Sequence, residues 1–158
     1  MTDVESVEAW LREALGAAQQ RAEEAALETG SAEWEYHAHG SLDGAGPAGG
    51  MVAVGSQDYL APAPGQFMAA NDPAAVLRGI AADRALLDDL LSEKHFVLEE
   101  DCWYTCGAAT EERDGGDTCD TGRLGKPCDC GRDARVARRV QLLAQRYGWT
   151  ATTPMNPV

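Results

Sequence analysis

Five cysteines fall between Cys102 and Cys130, spaced C-x3-C-x12-C-x8-C-x-C, and the chain of 158 residues has no others. The segment that carries them, DCWYTCGAATEERDGGDTCDTGRLGKPCDCGRD, is rich in glycine and charge and poor in aliphatic side chains. Such a segment buries too little apolar surface to hold its own shape, so it needs a covalent or coordinate clip. A structural zinc site takes four thiolates or imidazoles in a closed tetrahedron. Cys102, Cys106, Cys119, Cys128 and Cys130 offer one donor more than that. Cys128 and Cys130 stand just before a C-terminal helical pattern and would tether it, while Cys102 and Cys106 follow the preceding helical region and would close the clip. No C-x2-C knuckle occurs, so the same residues also admit a disulfide-containing loop or unlinked thiols. A site of cysteines alone would serve structure, because thiolates damp the Lewis acidity that hydrolytic zinc needs.

The expected compartment bears on that choice. The start, MTDVESVEAW, lacks the basic and apolar regions of a secretion signal, and no apolar run approaches a membrane span. A cytoplasmic protein without membrane contact is expected, and in a reducing compartment clustered thiols favour metal over disulfide. An apolar content of 44% supports a real core, and aromatics at 6% make that core mostly Ala, Leu and Val. With 26 acidic against 13 basic residues the net charge is −13, a field that disfavours nucleic acid and anionic lipid.

Three helices are legible. In the first, residues 3–28, Val4, Val7, Leu11, Ala14, Leu15, Ala18, Ala22 and Ala25 recur at three- and four-residue steps. Thr2 and Glu5 stand at capping-box spacing, and Thr29-Gly30 stops the helix. Asn71-Asp72-Pro73 starts the second, residues 73–94, with Asp72 as cap and Pro73 in the first turn. Gln66 to Ala70 reads as a short helical turn before it. In the third, residues 133–147, Val136, Val140, Leu143 and Tyr147 form the stripe and Gly148 the stop. Between the first two lies a small hairpin, residues 33–55. Trp34, Tyr36 and Ala38 alternate against Glu33, Glu35, His37 and His39, SLDGAGPAGG is a flexible connection, and Met51–Val54 returns. The reading is one domain over residues 1–150: mainly α (α+β), a three-helix core with a hairpin insertion and a zinc-stabilised loop at 101–131. A flexible tail follows at 151–158.

Other residues offer weaker chemistry. His37 and His39 share a strand face that can bind a catalytic metal; a solvated acidic face with Glu33 and Glu35 is the plainer account. His95, at a helix end, is explained by charge–dipole complementarity. Arg132, Arg135, Arg138, Arg139 and Arg146 crowd the third helix. An internal match to the acidic first helix accounts for them better than a strip for nucleic acid. No G-x-S-x-G, phosphate loop or H-E-x-x-H occurs.

Three stretches carry a resemblance: VEAWLREAL with the later Trp34, FMAANDPAAVLRGIAADRALLDDL, and CDCGRDARVARRVQLLAQRY. Together they resemble a family of short actinobacterial proteins, found also in phages of those bacteria, built on a domain of unknown function. The family usually has His-Asp-Pro where this chain has Asn71-Asp72-Pro73, and a His-Pro-containing tail where this chain has Gly148-Trp149 and a divergent end. The resemblance implies the helical fold and no particular activity; its association with mobile elements implies an accessory or regulatory role. The expected function is therefore a small accessory protein that binds another protein and uses zinc for structure. A metal-dependent hydrolase or nuclease using His37 and His39 is the alternative, and nucleic-acid binding through the arginine helix the second.

Overall fold

The computed structural model describes residues 4–98, 105–109, 123 and 125–150. Cys102, Cys119, the cap at Thr2 and the tail from 151 lie outside them. The fold is mainly α with a small antiparallel sheet. In order it runs α1 (Val4–Thr29), β1 (Trp34–His37), β2 (Ser41–Gly44), β3 (Met51–Val54), α2 (Pro62–Ala70), α3 (Pro73–Ser92) and α4 (Arg132–Arg146). None of the described helices is long and apolar enough to cross a membrane. The described residues divide into two compact units, one of residues 10–85, the other of residues 4–9 with those described from 86 to 150.

In the unit of residues 10–85, the spacing of Leu11, Leu15 and Ala22 puts them on one helical face, and all three are buried. The insertion differs from a two-stranded hairpin. β1, β2 and β3 form a meander in which β2 is central, paired with β1 from Trp34↔Gly44 to His37↔Ser41 and with β3 through Leu42↔Ala53. The expected flexible connection thus begins with the most buried strand of the sheet, where Leu42 is fully enclosed. Ser41-Leu42-Asp43-Gly44 has turn-like composition, but ladders on both sides satisfy its backbone and override that preference. The chain reverses at Ala38–Gly40 instead, so His39 lies in a turn and off the strand.

α2 packs on β1 and β2. Gly65 makes this approach possible, since a Cβ there would overlap the Tyr36 ring. The Tyr36 hydroxyl donates to the Leu60 carbonyl at 2.9 Å. Asp72 performs the expected capping and a second task as well. Its Oδ1 accepts from the Ala75 N–H at 2.7 Å, in the first turn of α3, and its Oδ2 accepts from the Trp34 N–H at 3.3 Å on the outer edge of β1. Asp72 is 8% exposed, so Asp72→Ala strips a cap and leaves buried donors unpaired. A loss of roughly 1–3 kcal/mol in denaturant unfolding is expected, and Asp72→Asn should cost less. A loss below about 0.5 kcal/mol would contradict this role.

In the other unit, Val136, Val140, Leu143 and Ala144 line the buried face of α4. Its end is a Schellman motif: Trp149 N–H bonds Ala144 O at 3.1 Å and Gly148 N–H bonds Gln145 O at 3.0 Å, with Gly148 at φ +95°. The first residue of α4 fastens the end of α3. Arg132 Nε donates to Glu93 O at 2.6 Å and Nη2 to Leu91 O at 2.8 Å, satisfying carbonyls that a helix end leaves open.

Candidate metal centre

After Ser92 the chain extends through His95 to Leu98 alongside residues 105–106. Cys106 N–H donates to Phe96 O at 2.8 Å, and Leu98 N–H donates to the Thr105 hydroxyl, which in turn donates to Leu98 O, both at 3.1 Å. A further layer is tied in by Gly107 N–H, which donates to Asp129 Oδ1 at 3.2 Å, and by the Arg123–Asp129 ion pair. These contacts bring His95 and Cys106 against Cys128 and Cys130, which lead into α4.

One ligand atom from each of His95, Cys106, Cys128 and Cys130 lies within 4.8 Å of the other three, a set able to bind a metal ion. Cys106 Sγ stands 3.6 Å and Cys130 Sγ 3.8 Å from His95 Nδ1, and the sulfurs of Cys128 and Cys130 are 3.6 Å apart. All three thiols are free of disulfides. Cys106 is buried; Cys128 and Cys130 are partly exposed. The opposite nitrogen of the imidazole, Nε2, lies 3.6 Å from Asp133 Oδ1 in the first turn of α4. A carboxylate behind a histidine ligand fixes its ring and tautomer.

The electrostatics differ at each sulfur. Burial pushes the Cys106 thiol up, and its bond to Asp129 adds to this, against backbone donors from Cys130, Ala108 and Asp129. Asp129 in turn is held below the usual carboxylate range, first by that thiol, then by the Gly107 N–H and by Arg123. Burial also raises Cys130, but the Phe96 and Arg132 N–H groups, with His95 and Cys128, outweigh it and bring its thiol down to about 6. Arg135 is pushed up, first by its bond to Glu93 and further by the Glu93, Cys130 and Cys128 charges. At neutral pH the metal-free site therefore holds a Cys130 thiolate and a protonated Cys106, and a metal must displace the Cys106 proton. Apparent affinity should rise with pH through the neutral range, about tenfold per unit for each proton released. Calorimetry in buffers of different ionisation enthalpy should show that release; a buffer-independent heat would contradict it.

Of the sequence candidates, the structure gathers Cys106, Cys128 and Cys130, while Cys102 and Cys119 fall outside the described residues. It adds His95, for which the sequence offers only a helix dipole as the explanation. The one available signal is its place between a helix end and the first cysteine. Among the described residues this is the one group of three or more Cys, His, Asp or Glu able to hold a metal. His37 and His39 are engaged otherwise. Their rings stack at 5.4 Å and 5°, His37 Nε2 pairs with Asp43 Oδ2 at 3.4 Å, and Ser41 Oγ links His39 Nε2 to Asp43 Oδ2 at 2.8 and 2.7 Å. Of the five arginines, Arg135 and Arg139 pair with Glu93, at 2.8 and 3.3 Å, and Arg132 with Asp133 at 3.1 Å, in place of the expected match to the acidic first helix. Comparisons with protein-family models, curated proteins and solved structures find no match, so the site's chemistry is read from its own residues.

Proposed function

We propose that the chain is a non-enzymatic accessory protein in which His95, Cys106, Cys128 and Cys130 hold a structural zinc ion, and which acts by binding another protein. The observation that carries the zinc reading is the geometry of the donors. With Zn–S bonds of about 2.3 Å and Zn–N bonds of about 2.0–2.1 Å, a tetrahedron has edges of about 3.8 Å between sulfurs and about 3.6 Å between sulfur and nitrogen. The Cys128–Cys130 S···S distance of 3.6 Å and the distances from His95 Nδ1 to the Cys106 and Cys130 sulfurs, 3.6 and 3.8 Å, fit those edges. Soft thiolates with one imidazole suit zinc better than magnesium, calcium or manganese. Four protein donors close the coordination sphere and leave no position for a substrate, which favours structure over catalysis.

The protein-binding part has separate support. Phe96 is 55% and Leu98 40% exposed, two residues apart on the extended segment that begins at ligand His95. A metal that orders this segment holds both apolar side chains in place for a partner. Elemental analysis with native mass tests the zinc reading: about one zinc per chain is expected, and protein purified without stoichiometric metal would sink it.

A further inference from the structure

Cys128 and Cys130 differ from their fellow ligands in access and in surroundings. Cys106 is buried, whereas the other two are partly exposed. Their sulfurs are 3.6 Å apart and a single residue separates them in the chain. Cys130 stands directly before Gly131, the N-cap of α4, and its sulfur accepts the Arg132 N–H of the first helical turn. The Arg135 guanidinium is bonded to the Cys130 carbonyl at 3.0 Å. Partly exposed thiols beside cations and at a helix N-terminus are the reactive kind.

We propose that Cys128 and Cys130 are an oxidation site for hydrogen peroxide, closing to a disulfide that expels the metal. The inference rests on the zinc reading. The Cys130 thiolate attacks one peroxide oxygen; an S–O bond forms, the O–O bond breaks, and the departing hydroxide takes a proton to become water. The Cys128 thiolate then attacks the Cys130 sulfur; the S–S bond forms, the S–O bond breaks, and a second hydroxide leaves as water after protonation. Two thiolates lose two electrons, and one peroxide with two protons becomes two waters. Two of the four ligands are gone, and His95 with Cys106 cannot hold zinc by themselves. The clip at the start of α4 opens, and a dithiol reductant with zinc restores it.

The test treats the zinc-loaded full chain with equimolar hydrogen peroxide, reading zinc release with a chromogenic chelator and thiol state by peptide mapping. About one zinc released per disulfide is expected, with the bridge mapped to Cys128–Cys130 and reversed by dithiothreitol. In Cys128→Ser the reaction should stop at a sulfenic acid on Cys130, trapped by dimedone whether or not that variant keeps its metal. Zinc retained with the thiols reduced would overturn the inference and leave the zinc reading intact. So would a bridge to Cys102 or Cys119, or no dimedone adduct on Cys130. A chain that never held zinc fails the earlier reading instead, and the peptide map then decides whether the thiol pair is oxidised.

Discussion

Cys130→Ser is expected to abolish stoichiometric zinc binding and to lower stability by several kcal/mol. Its sulfur serves three purposes at once: it is a donor of the metal set, it accepts N–H groups from Phe96 and Arg132, and it joins the extended segment to the start of α4. Because the site forms only in the folded chain, lost metal affinity appears as lost folding free energy. A serine hydroxyl is a shorter, harder donor and replaces the thiolate poorly. The thermal midpoint should fall sharply, and amide exchange should quicken in the first turn of α4. Asp133→Asn makes the useful contrast: it alters the carboxylate that stands 3.6 Å from His95 Nε2 and 3.1 Å from Arg132 Nη1 but leaves every donor in place, and it should weaken affinity about 10–100-fold with the fold retained. Full metal content in Cys130→Ser with an unchanged midpoint would contradict the assignment.

Leu15→Ala should be comparably damaging for an unrelated reason. Leu15 is 0% exposed, so the substitution forfeits its transfer free energy and leaves a cavity. The expected cost is roughly 2–5 kcal/mol, or a midpoint lowered by roughly 4–20 °C. Leu27 provides a control on the same helix: at 83% exposure, Leu27→Ala should change stability by no more than about 0.5 kcal/mol. An unmoved midpoint in Leu15→Ala would place α1 outside the stabilising core.

Local rules make the helices legible. Three- and four-residue apolar spacing, Asp72-Pro73 and Gly148 are signals confined to a few neighbours, and α1, α3 and α4 begin and end within a residue or two of them, whereas α2 starts at Pro62, ahead of the short turn expected from Gln66. β2 is hidden because Ser41, Asp43 and Gly44 look like loop residues alone. Their polar groups are satisfied only once β1 and β3 flank them and Ser41 meets His39 and Asp43. Three of the four members of the metal set are legible, and the fourth is hidden for a similar reason. Cysteine chemistry points to the thiols, but His95 is 11 residues from Cys106 and 35 from Cys130. Its approach depends on Arg132 fastening the end of α3, a contact that no periodicity encodes.

X-ray absorption at the zinc edge of the purified chain tests the Cys3His centre most directly. Three sulfurs at about 2.3 Å and one nitrogen at about 2.0–2.1 Å are expected, with the nitrogen lost in His95→Cys and replaced by a fourth sulfur. Four sulfurs in the unaltered protein would put Cys102 or Cys119 in the coordination position of His95 and contradict the assignment.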